Sequence, residues 1–283
     1  MTRADKPLEP GLYVAATPIG NLGDLTFRVV EALKGADRIL CEDTRQTAKL
    51  LAAYDVKTPM SPYHDHNADR VRPGIIDALK EDARFVLVSD AGTPLISDPG
   101  AKLVRAARDA GIRVHPLPGP SAFVAALSAA GVKTDRFLFA GFPPPKTEAR
   151  RKFLAELAGV PASLVFYESP QRLAMSLAAM AAAFGPRRAV VARELTKIHE
   201  EFVEGALPAL AARYETAAPK GEIVIIVDPP AEESLAAPAD VDAFLAQALR
   251  SQSLKEAAAA AADAFGVPRK EAYARALALK DAG

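Results

Sequence analysis

Side chains able to move a proton or hold an anion gather directly after short apolar runs. Glu42, Asp43 and Arg45 follow the run ending at Cys41, Glu168 and Arg172 flank Ser169-Pro170, and Arg193, Glu194 and Lys197 follow the run ending at Ala192. A carboxylate or imidazole in such a place can take the proton of a hydroxyl nucleophile, and a guanidinium can grip a phosphate with two parallel bonds. His64 and His66 stand two apart around Asp65. That trio imitates a metal site, but no further ligands cluster near it in sequence, and no metal is expected. The single cysteine, Cys41, excludes an intramolecular disulfide framework and a cysteine-based zinc cluster.

Four apolar runs end in a proline corner: Thr17-Pro18, Thr93-Pro94, Gly119-Pro120 and Ser169-Pro170. Ligands of open α/β sheets bind outside the carboxyl ends of strands, and proline fixes φ, so these corners predict a prefolded cleft. Pro120 reads as a first helical residue, which would leave the N–H groups of Ser121 and Ala122 free for a ligand carboxylate. The loop TPIGNLGD (17–24) lacks G-x-G-x-x-G spacing, and no Walker-type GK[ST] is present, which disfavours a phosphate-rich cofactor. The loop Ser89–Gly100, SDAGTPLISDPG, combines two carboxylates, hydroxyls, small residues and the apolar pair Leu95-Ile96. That mixture suits a ligand with an adenine, a ribose and a charged amino-acid end. Asp98, just before Pro99, is expected to cap the next helix.

The elements that must position these groups alternate. Strand-like runs at 12–15, 38–41, 85–88, 112–114, 137–140, 164–167, 189–192 and 223–227 are separated by amphipathic stretches, which predicts an α/β fold with a mainly parallel sheet in the first half. The proline-rich stretch 116–120 reads as a hinge, and the Pro/Ala/Glu-rich stretch after Asp228 reads as a linker. The expected domains are therefore 1–119 and 120–229, both α/β, then a linker at 230–239 and a helical unit at 240–283. Within the last, Ser253 and Glu256 fit a capping box, Gly266 a helix stop and Pro268 a helix start, resembling a helix-turn-helix. The chain has 283 residues, 35 basic and 35 acidic, so bulk electrostatics do not suit it to wrapping long duplex nucleic acid. Local basic clusters remain: Lys146, Arg150, Arg151 and Lys152, and on the tail Arg269, Lys270, Arg275 and Lys280. No run of about 18 apolar residues and no apolar signal core are present, so a cytoplasmic protein without a membrane partner is expected.

TPIGNLGD, CEDTRQT, YHDHN, SDAGTPLISDPG, LPGPSAF, GFPP, FYESPQR and RELTK occur in this order. Together they resemble the bacterial small-subunit ribosomal RNA 2′-O-methyltransferases of the tetrapyrrole (class III) methylase superfamily. The resemblance spans roughly residues 10 to 228 and continues through the tail. It implies two α/β domains with S-adenosylmethionine between them, a homodimer, and methylation of a cytidine ribose in the decoding region of 16S rRNA within the small ribosomal subunit. Carried over position by position, it places the cofactor against Pro18, Asp90, Ala91, Gly92, Thr93, Ile96, Ser121, Ala122, Phe166, Tyr167, Leu195 and Gly221. Glu168 becomes the first candidate for the acid/base or ribose-positioning group, with Asp43 and His64 behind it. Arg45, Lys146, Arg150, Arg151, Arg172, Arg193 and Lys197 become candidates for RNA contact. Two rival readings stand: a methylase acting on a tetrapyrrole ring, which would show a large apolar crevice, and a ligand-sensing regulator that binds nucleic acid through its tail.

Overall fold

A computed structural model describes residues 8–216, 219–230, 238–265 and 267–282. The chain separates into two units, Met1–Pro229 and Pro230–Gly283. The first sheet of the larger unit comprises β1 (Gly11–Ala15), β2 (Arg38–Cys41), β3 (Met60–Pro62), β4 (Arg84–Val88) and β5 (Val114–Leu117). Its order is β3-β2-β4-β1-β5 and every pairing is parallel. The connecting helices are α1 (Phe27–Gly35), α2 (Thr44–Ala53), α3 (Ala68–Lys80) and α4 (Ala101–Asp109). Strand residues alternate between two apolar clusters. Tyr13, Ile39, Val86 and Val88 pack with Val29 and Leu33 of α1, while Leu12, Leu40, Phe85 and Leu87 pack with Leu79 of α3 and Leu103 of α4. Both faces are thus dry, which is why runs such as FVLV are apolar throughout.

Two expectations shift here. β5 runs through Pro116 instead of ending at Val114, and it can do so because it is an edge strand, where a missing N–H costs no ladder bond. The expected hinge at 116–120 therefore begins inside a strand. Helix α4 is capped by Gly100 at φ +130°, not by Asp98.

After α5 (Ala122–Ala129) comes a mixed sheet of β6 (Phe137–Gly141), β7 (Ser163–Glu168), β8 (Arg188–Arg193), β9 (Glu201–Ala206) and β10 (Ile223–Val227), ordered β6-β7-β10-β8-β9. Only β6 and β7 run parallel. Helices α6 (Thr147–Leu157), α7 (Leu173–Phe184) and α8 (Leu207–Glu215) accompany it. Leu164, Phe166, Ile223 and Ile225 face Leu173, Leu177 and Met180 of α7. Val165, Val224 and Ile226 face the opposite way, towards Ala126 and Leu127 of α5 and Ile19 of the first β–α loop. One loop of the first sheet is therefore packed into a core of the second.

The smaller unit contains α9 (Pro238–Ala248), α10 (Leu254–Phe265) and α11 (Arg269–Ala282). Its core is Val241 and Leu245 against Ala257, Ala258, Ala261, Ala262, Ala272 and Ala276, so the alanine run is a packing face between closely approaching helices. The Ser253–Glu256 capping box forms: each residue's side chain bonds the other's backbone N–H, at 3.0 and 3.3 Å. Gly266 and residues 231–237 of the expected linker lie outside the described residues.

Candidate active site

The loops after β1, β4, β5, β7 and β8 converge on a cleft of about 370 Å3, lined from both sheets. Its floor is a pair of backbone bonds between the first and second loops, Thr17 N to Gly92 O at 2.8 Å and Gly92 N to Thr17 O at 3.0 Å. The Thr17 hydroxyl donates to Ser89 O at 3.1 Å, and the Thr93 hydroxyl to Pro120 O at 3.0 Å, which ties the loop after β4 to the corner after β5. Gly92 sits at φ +80°, and a Cβ there would come within 3.3 Å of Ile19. The loop continues with Leu95 at φ +73° and Ser97 at φ +63°, conformations that cost L-residues energy and persist where surrounding structure imposes them. Across the cleft, Gly221 at φ +92° lets the Glu194 carboxylate lie against its backbone, where a side chain would collide with it. Glu194 in turn accepts from Lys197 Nζ at 2.9 Å and from Glu222 N at 3.3 Å.

The polar lining is acidic. Asp90, Asp98, Glu168 and Glu222 all border the cleft. Burial, then the neighbouring Glu42 and Asp90 carboxylates, push Asp98 up to about 6, with Ser89 acting against them. Glu42 is raised as well, by burial and by Asp90 and Asp65. Burial also raises the Tyr167 phenol, whose oxygen accepts from Phe123 N at 3.3 Å. A lining of hydroxyls, apolar Ile96, Leu195 and Ile223, and carboxylates is complementary to a ligand with an aromatic base at one end and positive charge at the other.

A sequence signature described as Tetrapyrrole (Corrin/Porphyrin) Methylases matches residues 11–211. The chain belongs to this family of methylases. A second signature, the RsmI C-terminal HTH domain, matches residues 236–280 of the methylase tail. A relative from Mesorhizobium japonicum named ribosomal RNA small subunit methyltransferase I is 50% identical over 98% of this chain and 94% of its own. One of the same name from Erythrobacter litoralis is 51% identical over 97% of each. Among solved structures, a diphthine synthase covers 77% of this chain and 89% of its own with a TM-score of 0.62 at 13% identity, a likeness of fold alone.

In this methylase, ten of the twelve residues expected around the cofactor line the cleft: Asp90, Ala91, Gly92, Thr93, Ile96, Ser121, Ala122, Tyr167, Leu195 and Gly221. Two do not. Pro18 turns the chain, and its neighbour Ile19 reaches the lining. Phe166 is fully buried on the α7 side of the sheet, because successive side chains of a strand point to opposite faces and Tyr167 takes the cleft side. Pro120 also falls short of its expected place, since Ser121 is the N-cap and α5 starts at Ala122. Phe142 and Glu222 line the cleft without having been anticipated, and Asp98, one of the two carboxylates of the loop read as ligand-binding, lines it instead of capping α4.

The same parity corrects Glu168. Its carboxylate is turned away with Phe166 and wholly shielded from solvent. It accepts from Ser169 N at 2.8 Å, from Arg172 Nε at 2.7 Å and from the Ser176 hydroxyl, so it is a bonded anchor and only its backbone side borders the cleft. Asp43 caps α2 by accepting from Arg45 N at 2.8 Å, and its own N–H donates to Asp90 at 3.1 Å. His64 is not in the lining; its ring lies edge-on to His66 at 6.0 Å.

Among the basic residues, Arg150 is 2% exposed and donates to the carbonyls of Pro144 and Pro145, bracing the GFPPP turn where RNA contact was expected. Arg172 is held by Glu168. Arg193 is paired with Glu201 at 3.0 Å, and Lys197 with Glu194 and Glu222. Arg151 is exposed but bonded to Glu148. Arg45 and Lys146 are exposed and form no ion pair among the described residues.

Proposed function

We propose that the cleft holds S-adenosylmethionine and that the chain methylates the ribose 2′-hydroxyl of a cytidine in 16S rRNA, as a cytoplasmic homodimer acting on the small ribosomal subunit. The observation that carries this reading is the convergence of ten expected residues, from loops of both sheets, on one acidic cleft. When bound, the donor supplies an electrophilic methyl group on a positively charged sulfur. The chain's part is orientation. Transfer is an in-line displacement, and holding a hydroxyl about 3–3.5 Å from the methyl carbon can contribute roughly 7–11 kcal/mol. The loops are fitted for that because proline corners, the Thr17–Gly92 bridge and the Thr93–Pro120 bond fix their backbone beforehand. Asp90 and Asp98 complement the donor's positive charges, while Ile96 and Leu195 offer apolar surface to its base.

The relatives' shared name supports ribosomal RNA as the acceptor. Among the side chains expected to contact RNA, Arg45 and Lys146 are the ones exposed and without an ion pair among the described residues, free to meet phosphates. For the homodimer, support comes from β6, an edge strand whose Phe137 and Leu138 are exposed, as is Val124 of α5. The test is mass spectrometry of ribosomal RNA from cells lacking the protein, joined to calorimetry of the pure chain with S-adenosylmethionine. Loss of one ribose methyl group, restored by the wild type, and saturable heat on adding the donor are the expected results. An unchanged methylation pattern refutes the acceptor; no heat, even with small subunits present, refutes the cofactor.

A further inference from the structure

We propose that Phe142 is the face on which the nucleobase of the acceptor nucleotide stacks when its ribose is presented to the cleft. The role rests on the RNA-methylation reading of the cleft and adds how the acceptor is held there. Phe142 and Tyr167 are the two aromatic side chains among the described lining residues. The Tyr167 ring is hemmed in by Phe139 and Phe142, at 4.8 and 5.5 Å between centroids, and its oxygen is bonded to Phe123 N. Phe142 is 52% exposed, and its contact with Tyr167 is T-shaped, at 61° between the rings, so a face of it stays open. A single exposed apolar residue means little by itself. What sets Phe142 apart is how the chain aims it.

β6 follows β7 in parallel register from Phe137 beside Ser163 to Phe139 beside Val165, and then slips: Gly141, not Ala140, stands beside Phe166. Ala140 is the extra residue of a bulge, and Gly141 closes it at φ +66°. In an unbroken register Phe142 would fall beside Glu168 and share its side of the sheet, the α7 side. The extra residue moves it back one place, level with Tyr167, and so onto the cleft side. The chain is stiffened immediately afterwards. Pro143, Pro144 and Pro145 have fixed φ, and buried Arg150 donates to the carbonyls of Pro144 and Pro145 at 3.5 and 3.2 Å. The next residue, Lys146, is exposed. An open aromatic face, a rigid turn and a cation thus follow one another along one short stretch, the chemistry that holds an unpaired nucleotide by base and phosphate. A nucleotide stacked within folded RNA cannot offer its ribose to a recessed donor. A ring that takes over the stacking lets it turn out of the RNA and bring its 2′-hydroxyl into the cleft.

The test compares Phe142→Leu, which keeps an apolar side chain, with Phe142→Tyr, which keeps the ring. With small ribosomal subunits as acceptor, Phe142→Leu should lose about five- to a hundredfold in kcat/KM, the span that loss of one base–aromatic contact allows, and Phe142→Tyr should stay within about threefold of wild type. Dissociation constants for S-adenosylhomocysteine should stay within about twofold in both, and sedimentation should show an unchanged oligomeric state. Independently of activity, Phe142→p-benzoylphenylalanine irradiated with small subunits and S-adenosylhomocysteine should crosslink to the methylated nucleotide or one beside it, mapped by the stop in reverse transcription. Leu and Tyr variants impaired alike, or a Leu variant impaired less than about fivefold, overturn the assignment. An equal loss of S-adenosylhomocysteine affinity would put Phe142 in the donor site and overturns it too. So does a changed oligomeric state or a crosslink to a second copy, which would put Phe142 in a subunit interface. A wild type that transfers no methyl group refutes the functional reading and this role with it; an active wild type with an unimpaired Leu variant refutes this role alone.

Discussion

The Glu168 carboxylate lies behind β7 with Arg172, Ser169 and Ser176 around it, whereas Asp98 lies within the cleft with Glu42 and Asp90 around it. Removing Glu168 strips a shielded guanidinium contact and two hydroxyl and amide partners of their acceptor. Glu168→Ala should therefore cost about 2–4 kcal/mol in urea unfolding, as breaking one side of a buried pair does, and Glu168→Gln distinctly less. Any loss of methylation in Glu168→Ala should follow the fraction unfolded. Asp98 has the opposite consequence. Its folded pKa of about 6 lies above its unfolded value, so as pH rises the unfolded chain gives up the proton first. Stability is then lost between about pH 4 and 6 and stays lost above it. Asp98→Asn should melt higher than wild type at pH 8, with the difference closing towards pH 4, each kcal/mol amounting to roughly 2–4 °C. The positions of both residues at loop and strand ends were legible in the sequence. Which side of β7 Glu168 faces was legible too, from the period-2 rule: one strand cannot turn Phe166 and Tyr167 into the same cleft. The elevated pKa of Asp98 was not, since it arises first from burial and then from the Glu42 and Asp90 carboxylates, and both burial and the approach of Glu42, 56 positions away, depend on the folded sheet.

At the scale of elements, the strand ends do the positioning, and the turn between β8 and β9 is the most demanding of them. Glu194 at φ +51° and Thr196 at φ +65° fold RELTK so that Glu194 fills the space above Gly221 while bonding Lys197. Gly221→Ala would force that carboxylate out and strain a left-handed residue, a cost of about 1–3 kcal/mol. Since Gly221, Glu222 and Leu195 all border the cleft, the expected outcome is donor binding weakened about tenfold in calorimetry, with the rest of the fold intact by circular dichroism. Most strands could be found in the sequence because sheets covered on both faces leave unbroken apolar runs. The two that escaped notice, β3 and β9, are edge strands. Met60-Ser61-Pro62 is three residues long and ends in proline, while Glu201–Ala206 carries two glutamates on a strand with a wet side. An edge strand needs neither length nor continuous apolarity, so its pattern is weak.

For the molecule as a whole, zero net charge and an acidic cofactor cleft must coexist with a polyanionic acceptor. Most of the positive charge near the cleft is already neutralised: Arg172 by Glu168, Arg193 by Glu201, and Lys197 by Glu194 and Glu222. Of the residues expected to contact RNA, those that are exposed and lack an ion pair among the described residues are Arg45 at the start of α2 and Lys146 at the start of α6. Each phosphate contact on single-stranded RNA releases about 0.7 of a counterion. Replacing both residues with alanine should therefore lower the slope of log affinity against log salt by about 1–2, weakening binding to small subunits most at low salt. Arg150→Ala supplies the contrast. Because Arg150 is buried against the GFPPP turn, its loss should lower the unfolding midpoint while leaving the salt slope of the folded protein unchanged. The sequence shows Lys146 and Arg150 as one basic cluster; in the structure Lys146 is the exposed, extended N-cap of α6, while Arg150 in the helix's first turn is buried. A slope unmoved by the double substitution, or lowered by Arg150→Ala in fully folded protein, would shift the RNA footprint away from these two helix starts.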